Sequence, residues 1–192
     1  AASVLIANGR GDKTLLRAAD SAMDWASRNY AGGVSQIPDQ HGEFYIYPLA
    51  LAYQNLAPLM TPSIRSAWLT RLRTPLADVI QGLEWNWRTY AMKGAWAMYG
   101  VGILTRTQAV DFIESSWTGT QKARATANSF SMYEDGTSTP DTIAYDYAAR
   151  GNLMYLVTAG YDGASAGEIK QTVVQGAKAG LYLVDPTGQA PH

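Results

Sequence analysis

The sequence predicts an all-α protein assembled from antiparallel helical hairpins, and three observations lead there. Apolar residues recur every three or four positions through most of the 192 residues. Glycine and proline interrupt that pattern where helices have to stop and restart. Strict apolar-polar alternation, the mark of a half-buried strand, is absent except over Phe44 to Tyr47. A chain of this length fits one domain, residues 1–192.

The first helix is expected from about Lys13 to Tyr30, with Leu15, Leu16, Ala19, Met23 and Ala26 as its apolar stripe and Gly32-Gly33 as its end. A polar loop from Gln36 to His41 follows. Phe44 to Leu59 is very apolar, and a helix there tolerates Pro48 only near its first turn. Thr61-Pro62 is an N-cap followed by proline at the first helical position, which opens a helix to about Leu72. The fourth helix is expected from Asn86 to Gly102, and the fifth from Thr107 to Asn128 with Val110, Phe112, Ile113 and Trp117. After a polar, turn-rich loop from Ser131 to Ser138, Thr139-Pro140-Asp141 repeats the cap-and-proline signature and starts a helix to Ala159. Gly160 to Gly163 turns the chain into a last helix, about Ala166 to Leu183, and Asp185-Pro186-Thr187-Gly188 ends it.

Seven helices on short or medium loops imply antiparallel hairpins stacked as a bundle or as an arc. No strict sequence repeat accompanies them. In an arc, the loops at one end gather around the mouth of the concave surface. The His41 loop, the start of the Asn86 helix and the Tyr133 loop lie at alternating connections, so they are expected to meet there.

A net charge of −1 and 16% charged residues leave no field strong enough to recruit nucleic acid or an acidic membrane surface. No apolar run approaches the roughly 18–20 residues of a membrane span. The absence of cysteine excludes disulfides, thiolate zinc sites and cysteine nucleophiles. Nothing has metal-ligand spacing, the glycine-rich spots lack a phosphate-loop ending, and no cofactor is expected. Arg10-Gly11-Asp12 matches an adhesion tripeptide by chance and reads as a loop. The chain begins Ala-Ala-Ser rather than Met, as a mature secreted protein would once its signal peptide is gone, and as an excised fragment would too; secretion is the expectation.

Twelve Tyr and six Trp against three Phe favour rings that carry a hydrogen-bonding edge. They concentrate between Trp85 and Trp96, which holds three Trp, a Tyr, an Arg, a Lys and an Asn. At helical spacing Asn86, Tyr90 and Lys93 share one face, while Trp85, Met92 and Trp96 mark another. Flat rings beside amide, guanidinium and ammonium donors suit a sugar, which offers apolar C–H faces and a rim of hydroxyls. Asn86, Trp87, Arg88, Tyr90 and Lys93 are therefore candidate substrate-binding residues, and a poly- or oligosaccharide is the expected partner. The plainer reading has the tryptophans in the core and Arg88 and Lys93 snorkelling at the surface.

His41-Gly42-Glu43 sets an imidazole and a carboxylate at a helix start. His41 and Glu43 are candidates for proton transfer, against the plainer reading of Glu43 as an ordinary helix-start charge. Tyr133, Glu134 and Asp135 precede Asp141 by about one loop, putting three carboxylates near a helix start; paired carboxylates can divide into acid and base. The alternative is that Asp135-Gly136 forms a turn and Asp141 a first-turn charge. Asp146 and Arg150, at i and i+4, are expected to pair on a helix surface. Tyr145 and Tyr147 point to opposite sides, so one is expected to be buried and Tyr145 is a candidate cleft residue.

The combination His41-Gly42-Glu43-Phe44, then Asn86-Trp87-Arg88-Thr89-Tyr90-Ala91-Met92-Lys93-Gly94, then Tyr133 to Asp141 resembles secreted microbial α/α-toroid proteins, the architecture of many polysaccharide lyases and glycoside hydrolases. The resemblance implies a carbohydrate-active enzyme cleaving a polysaccharide in a helical-hairpin cleft. If it is a lyase, Asn86 and Arg88 neutralise a uronate carboxylate and Tyr90, Tyr133 or His41 is the base. If it is a hydrolase, Glu43 works with Glu134, Asp135 or Asp141, at a separation of about 5 to 10 Å. A closed six-hairpin toroid needs about twice as many helices as the seven expected here, so a fragment or an open arc is implied. A lectin-like helical protein that binds glycans without cleaving them is the alternative.

Overall fold

The computed structural model describes residues 9, 12–81, 85–136 and 143–183. Among them every regular element is helical and none is a strand, so the protein is all-α. The long helices are α1 (Lys13–Ala31), α2 (Glu43–Leu56), α3 (Pro62–Leu72), α4 (Trp87–Gly100), α5 (Arg106–Ser116), α6 (Ile143–Thr158) and α7 (Ala166–Leu181). Phe44 to Tyr47, the one strand-like run, lies inside α2.

Local chemistry explains most boundaries. Asp12 caps α1 by accepting the Thr14 and Leu15 N–H groups at 2.9 and 2.8 Å, a role missed when it was read as part of a loop. Thr61 caps α3 with Pro62 behind it, as expected. Thr105 and Gln108 form a reciprocal capping box at the start of α5. The helix expected from Thr107 to Asn128 runs without interruption to Ala125, with one change of register: α5 passes at Ser116 into a π-helical segment, Trp117–Gln121, and that into Lys122–Ala125. Thr118 donates its hydroxyl to the Glu114 carbonyl at 2.8 Å and Thr120 to that of Ser116 at 3.4 Å, around the unbranched Gly119. The Asp141 cap and the Asp185 to Gly188 ending lie outside the described residues.

Cross-helix contacts define the directions. Phe44 of α2 meets Trp87 and Tyr90 of α4, and Tyr47 meets Lys93 one turn further along, so α2 and α4 run parallel. Asn152 Nδ2 donates to Thr89 Oγ1 at 3.1 Å and Trp96 Nε1 to the Ala159 carbonyl at 3.0 Å, which makes α6 parallel to α4. In contrast, α5 folds back along α4, bringing Ser116 beside Arg88. The fold-back of α7 lays Gly176 and Gly180 against the Arg150 guanidinium of α6. Three parallel helices, α2, α4 and α6, therefore begin at one end of the molecule.

The core fills the space behind them with Ile46, Met92, Ala95, Met98, Ile113, Trp117, Leu153, Leu156 and Ile169, all almost wholly buried. Gly94 permits the tightest approach of α2 and α4, because a Cβ there would run into the Ile46 side chain.

Two expectations for α6 are overturned. Asp146 and Arg150 do pair, but in the interior, where they are 3% and 9% exposed and Asp146 also accepts the Tyr133 N–H at 2.8 Å. That buried face displaces both tyrosines outward: Tyr145 and Tyr147 are each exposed, and neither is a core residue. No described helix is long and apolar enough to cross a membrane.

Candidate functional site

The starts of α2 and α4 and the loop before α6 come together around Asn86 and Trp87. His41 approaches through a distorted turn: Asp39 and Gln40 both have left-handed backbone, at φ 57° and 65°, and Asp39 Oδ1 accepts the His41 N–H at 3.2 Å. Such strain in non-glycine residues persists only where the surroundings enforce it. Gly42 follows because the Val79 carbonyl occupies the space a Cβ would need.

His41 Nδ1 stands 3.0 Å from Glu43 Oε1. Glu43 is 1% exposed, and its second oxygen accepts the Gln81 N–H at 3.3 Å. It is thus a buried carboxylate held in hydrogen bonds rather than an ordinary helix-start charge. The imidazole is half-buried and leans on Trp87, ring centroids 4.3 Å apart, and on Phe44 at 5.6 Å. Phe44 in turn meets the Tyr90 ring edge-on at 4.9 Å. A carboxylate only accepts, so the proton of a neutral His41 sits on Nδ1 and the Nε2 lone pair is left free of hydrogen bonds among the described residues.

On the other side of Trp87, Arg88 donates Nε to Ser116 Oγ at 2.8 Å and lays its guanidinium 4.4 Å from the Phe112 ring centroid. Its Nη1 is buried with no hydrogen-bond partner among the described residues, and so is Nδ2 of Asn86, a residue only 3% exposed. Burial pulls the Arg88 pKa below its ordinary value, and the nearby Glu43 charge partly restores it. Two buried donors without acceptors among the described residues are unusual in a folded interior.

The third segment is tied on through backbone. Asp135 Oδ1 accepts the Asn86 N–H at 2.5 Å, and the Asp135 carbonyl accepts from Arg124, which also donates to the Glu134 carbonyl at 3.1 Å. Asp135 is 8% exposed and so does more than stabilise a turn. Tyr133 is buried, with its hydroxyl on Gln121 Oε1 at 2.6 Å. Glu134 is exposed and accepts from Asn128 Nδ2 at 3.1 Å. Tyr145 has no hydrogen bond or ring contact with the cluster among the described residues, and Asp141 lies outside them. Lys93 sits further along α4, its Nζ 4.1 Å from the Tyr47 ring centroid.

Partners that sequence reasoning missed are Gln81, Ser116, Gln121 and Arg124; each is remote in sequence from what it touches, and no local pattern marks it. Among the described residues no three metal-ligating side chains lie together. No family model, no curated protein and no solved structure matches the chain.

Proposed function

We propose that the protein is a secreted carbohydrate-active enzyme, a partial (α/α) toroid or arc, that cleaves an acidic polysaccharide by β-elimination where α2, α4 and α6 begin. One observation carries this reading: a His41–Glu43 pair with a free imidazole lone pair stands beside two buried, unpartnered donors, Arg88 Nη1 and Asn86 Nδ2.

In this reading the donors hold a uronate carboxylate and withdraw charge from it, which acidifies the C5 proton. His41 Nε2 takes that proton, Glu43 stabilises the imidazolium that forms, and the C5–H electron pair becomes the C4–C5 double bond as the C4–O bond breaks. Tyr90, one turn beyond Trp87 on α4, returns a proton to the leaving oxygen, and Trp87 and Phe44 provide apolar surface for the sugar faces. Hydrolysis is less well supported, because Glu43 and Asp135 are both buried in hydrogen bonds to the protein itself. The parallel set α2, α4 and α6, with α5 and α7 folded back on it, supports the toroid-like arrangement.

The test is incubation with a panel of uronate polymers, following the ultraviolet absorbance of the unsaturated product. The expected result is absorbance that His41→Ala abolishes. Glycan binding without any product from any polymer would instead favour the lectin-like alternative.

A further inference from the structure

Two turns along α4 from Asn86, Lys93 forms a second polar feature that the elimination does not use. Its Nζ stands 4.1 Å from the ring centroid of Tyr47 on α2 and 5.5 Å from that of Tyr155 on α6, and the two rings meet edge-on at 5.2 Å. Burial lowers the pKa of this half-buried ammonium, and among the described residues no carboxylate pairs with it. The negative faces of the rings stabilise the cation but do not replace a counter-ion.

Tyr47 and Tyr155 are also walls of a groove of about 170 Å³ that continues along α4 past Gln54, Trp96 and Ala97. On α4, Trp87, Tyr90, Lys93 and Ala97 follow one another at three- and four-residue steps; on α2, Phe44, Tyr47 and Leu51 keep pace. The groove is thus walled by α2, α4 and α6 together, one turn beyond Lys93. At 1.5 Å per residue, Asn86 and Lys93 are about 10 Å apart along the axis, the span of a disaccharide.

We propose that this groove, with Lys93 over its two tyrosine walls, is an extended oligosaccharide subsite in which Lys93 pairs with a second carboxylate of the ligand, one disaccharide from the uronate held by Asn86 and Arg88. This rests on the functional reading above. The substrate class it names is an acidic polysaccharide whose carboxylates recur at that spacing, recognised over at least a tetrasaccharide.

Calorimetric binding decides this whether or not a bond is cleaved. The probes are a disaccharide and a tetrasaccharide of alternating uronate and neutral sugar, and the tetrasaccharide with one carboxyl reduced to the alcohol. Lys93→Met is expected to weaken tetrasaccharide binding about tenfold, to leave the disaccharide unchanged, and to be rescued by Lys93→Arg. Carboxyl reduction should cost wild-type protein the same factor, which keeps the test decisive if Lys93→Met fails to fold. Tetrasaccharide binding that ignores both Lys93→Met and carboxyl reduction, but is lost in Arg88→Met, overturns the Lys93 subsite while the reading of the site stands. Wild-type protein that binds none of the acidic probes overturns both.

Discussion

The Asn86 backbone N–H donates to Asp135 Oδ1 at 2.5 Å, with both residues buried. This bond fastens the start of α4 to a loop 49 residues further on and so keeps the Asn86 side chain beside Arg88. Asp135→Ala leaves a buried N–H without its acceptor, at a cost of about 2 kcal/mol. The expected outcome is a lower denaturant midpoint together with loss of acidic-oligosaccharide binding. Unchanged binding in a folded variant would detach Asp135 from the site.

Glu43→Gln separates shape from proton control. The glutamine amide can turn its NH2 group toward His41 Nδ1, which then accepts, so Nε2 carries the hydrogen and is no longer a base. Turnover on a uronate polymer should fall by about 10⁴-fold, the order set by loss of the correct tautomer, with ligand binding largely retained. Turnover close to wild type would show that Glu43 only fills space.

How far the sequence carried depended on whether the governing interactions were local. The caps and stops around Thr61-Pro62 and Gly160 to Gly163 were readable because each acts within one turn. The π-helical segment after Ser116 was not, since it changes the hydrogen-bond register of a helix whose apolar pattern runs on through Ile113 and Trp117. Burial of Asp146 and Arg150 depends on Gly176 and Gly180 leaving room for a guanidinium, and no i, i+4 rule contains that. The His41–Glu43 pair was visible as a neighbouring imidazole and carboxylate, whereas the unpartnered donors of Asn86 and Arg88 exist only once Ser116 and Asp135 have taken the adjacent positions.

Acid should loosen the contact between α5 and the start of α7. Burial pushes the Glu114 carboxyl upward, but hydrogen bonds from the Ser165 hydroxyl and N–H, at 2.6 and 2.9 Å, and from Tyr161 outweigh it and hold its pKa below the ordinary value. The folded carboxyl thus binds its proton less tightly than the unfolded one. Its stabilisation is complete above about pH 4.3, the unperturbed glutamate value, and is lost as pH falls through the lower folded pKa. Glu114→Gln should lower stability at neutral pH and flatten the melting temperature across the acid range. An acid slope as steep as that of wild type would place the titrating group elsewhere.

Gly94 controls how closely α2 and α4 approach. A Cβ at this position overlaps the Ile46 side chain and comes 3.2 Å from the Tyr47 backbone nitrogen, on the same turn that aims the Tyr47 ring at Lys93. Gly94→Ala gains helix propensity, worth about 1 kcal/mol in an open helix, yet the clash should make it destabilising by about 1–3 kcal/mol. Ile46→Ala alone should cost about 2–5 kcal/mol by opening a cavity. Combined, the new methyl fills part of the space the isoleucine vacates, so the double variant should be more stable than the sum of the singles predicts, with coupling of about 0.5–3 kcal/mol. Denaturant unfolding of all four proteins measures this directly. Strict additivity would mean that the backbone at Tyr47, and not the Ile46 side chain, sets the spacing.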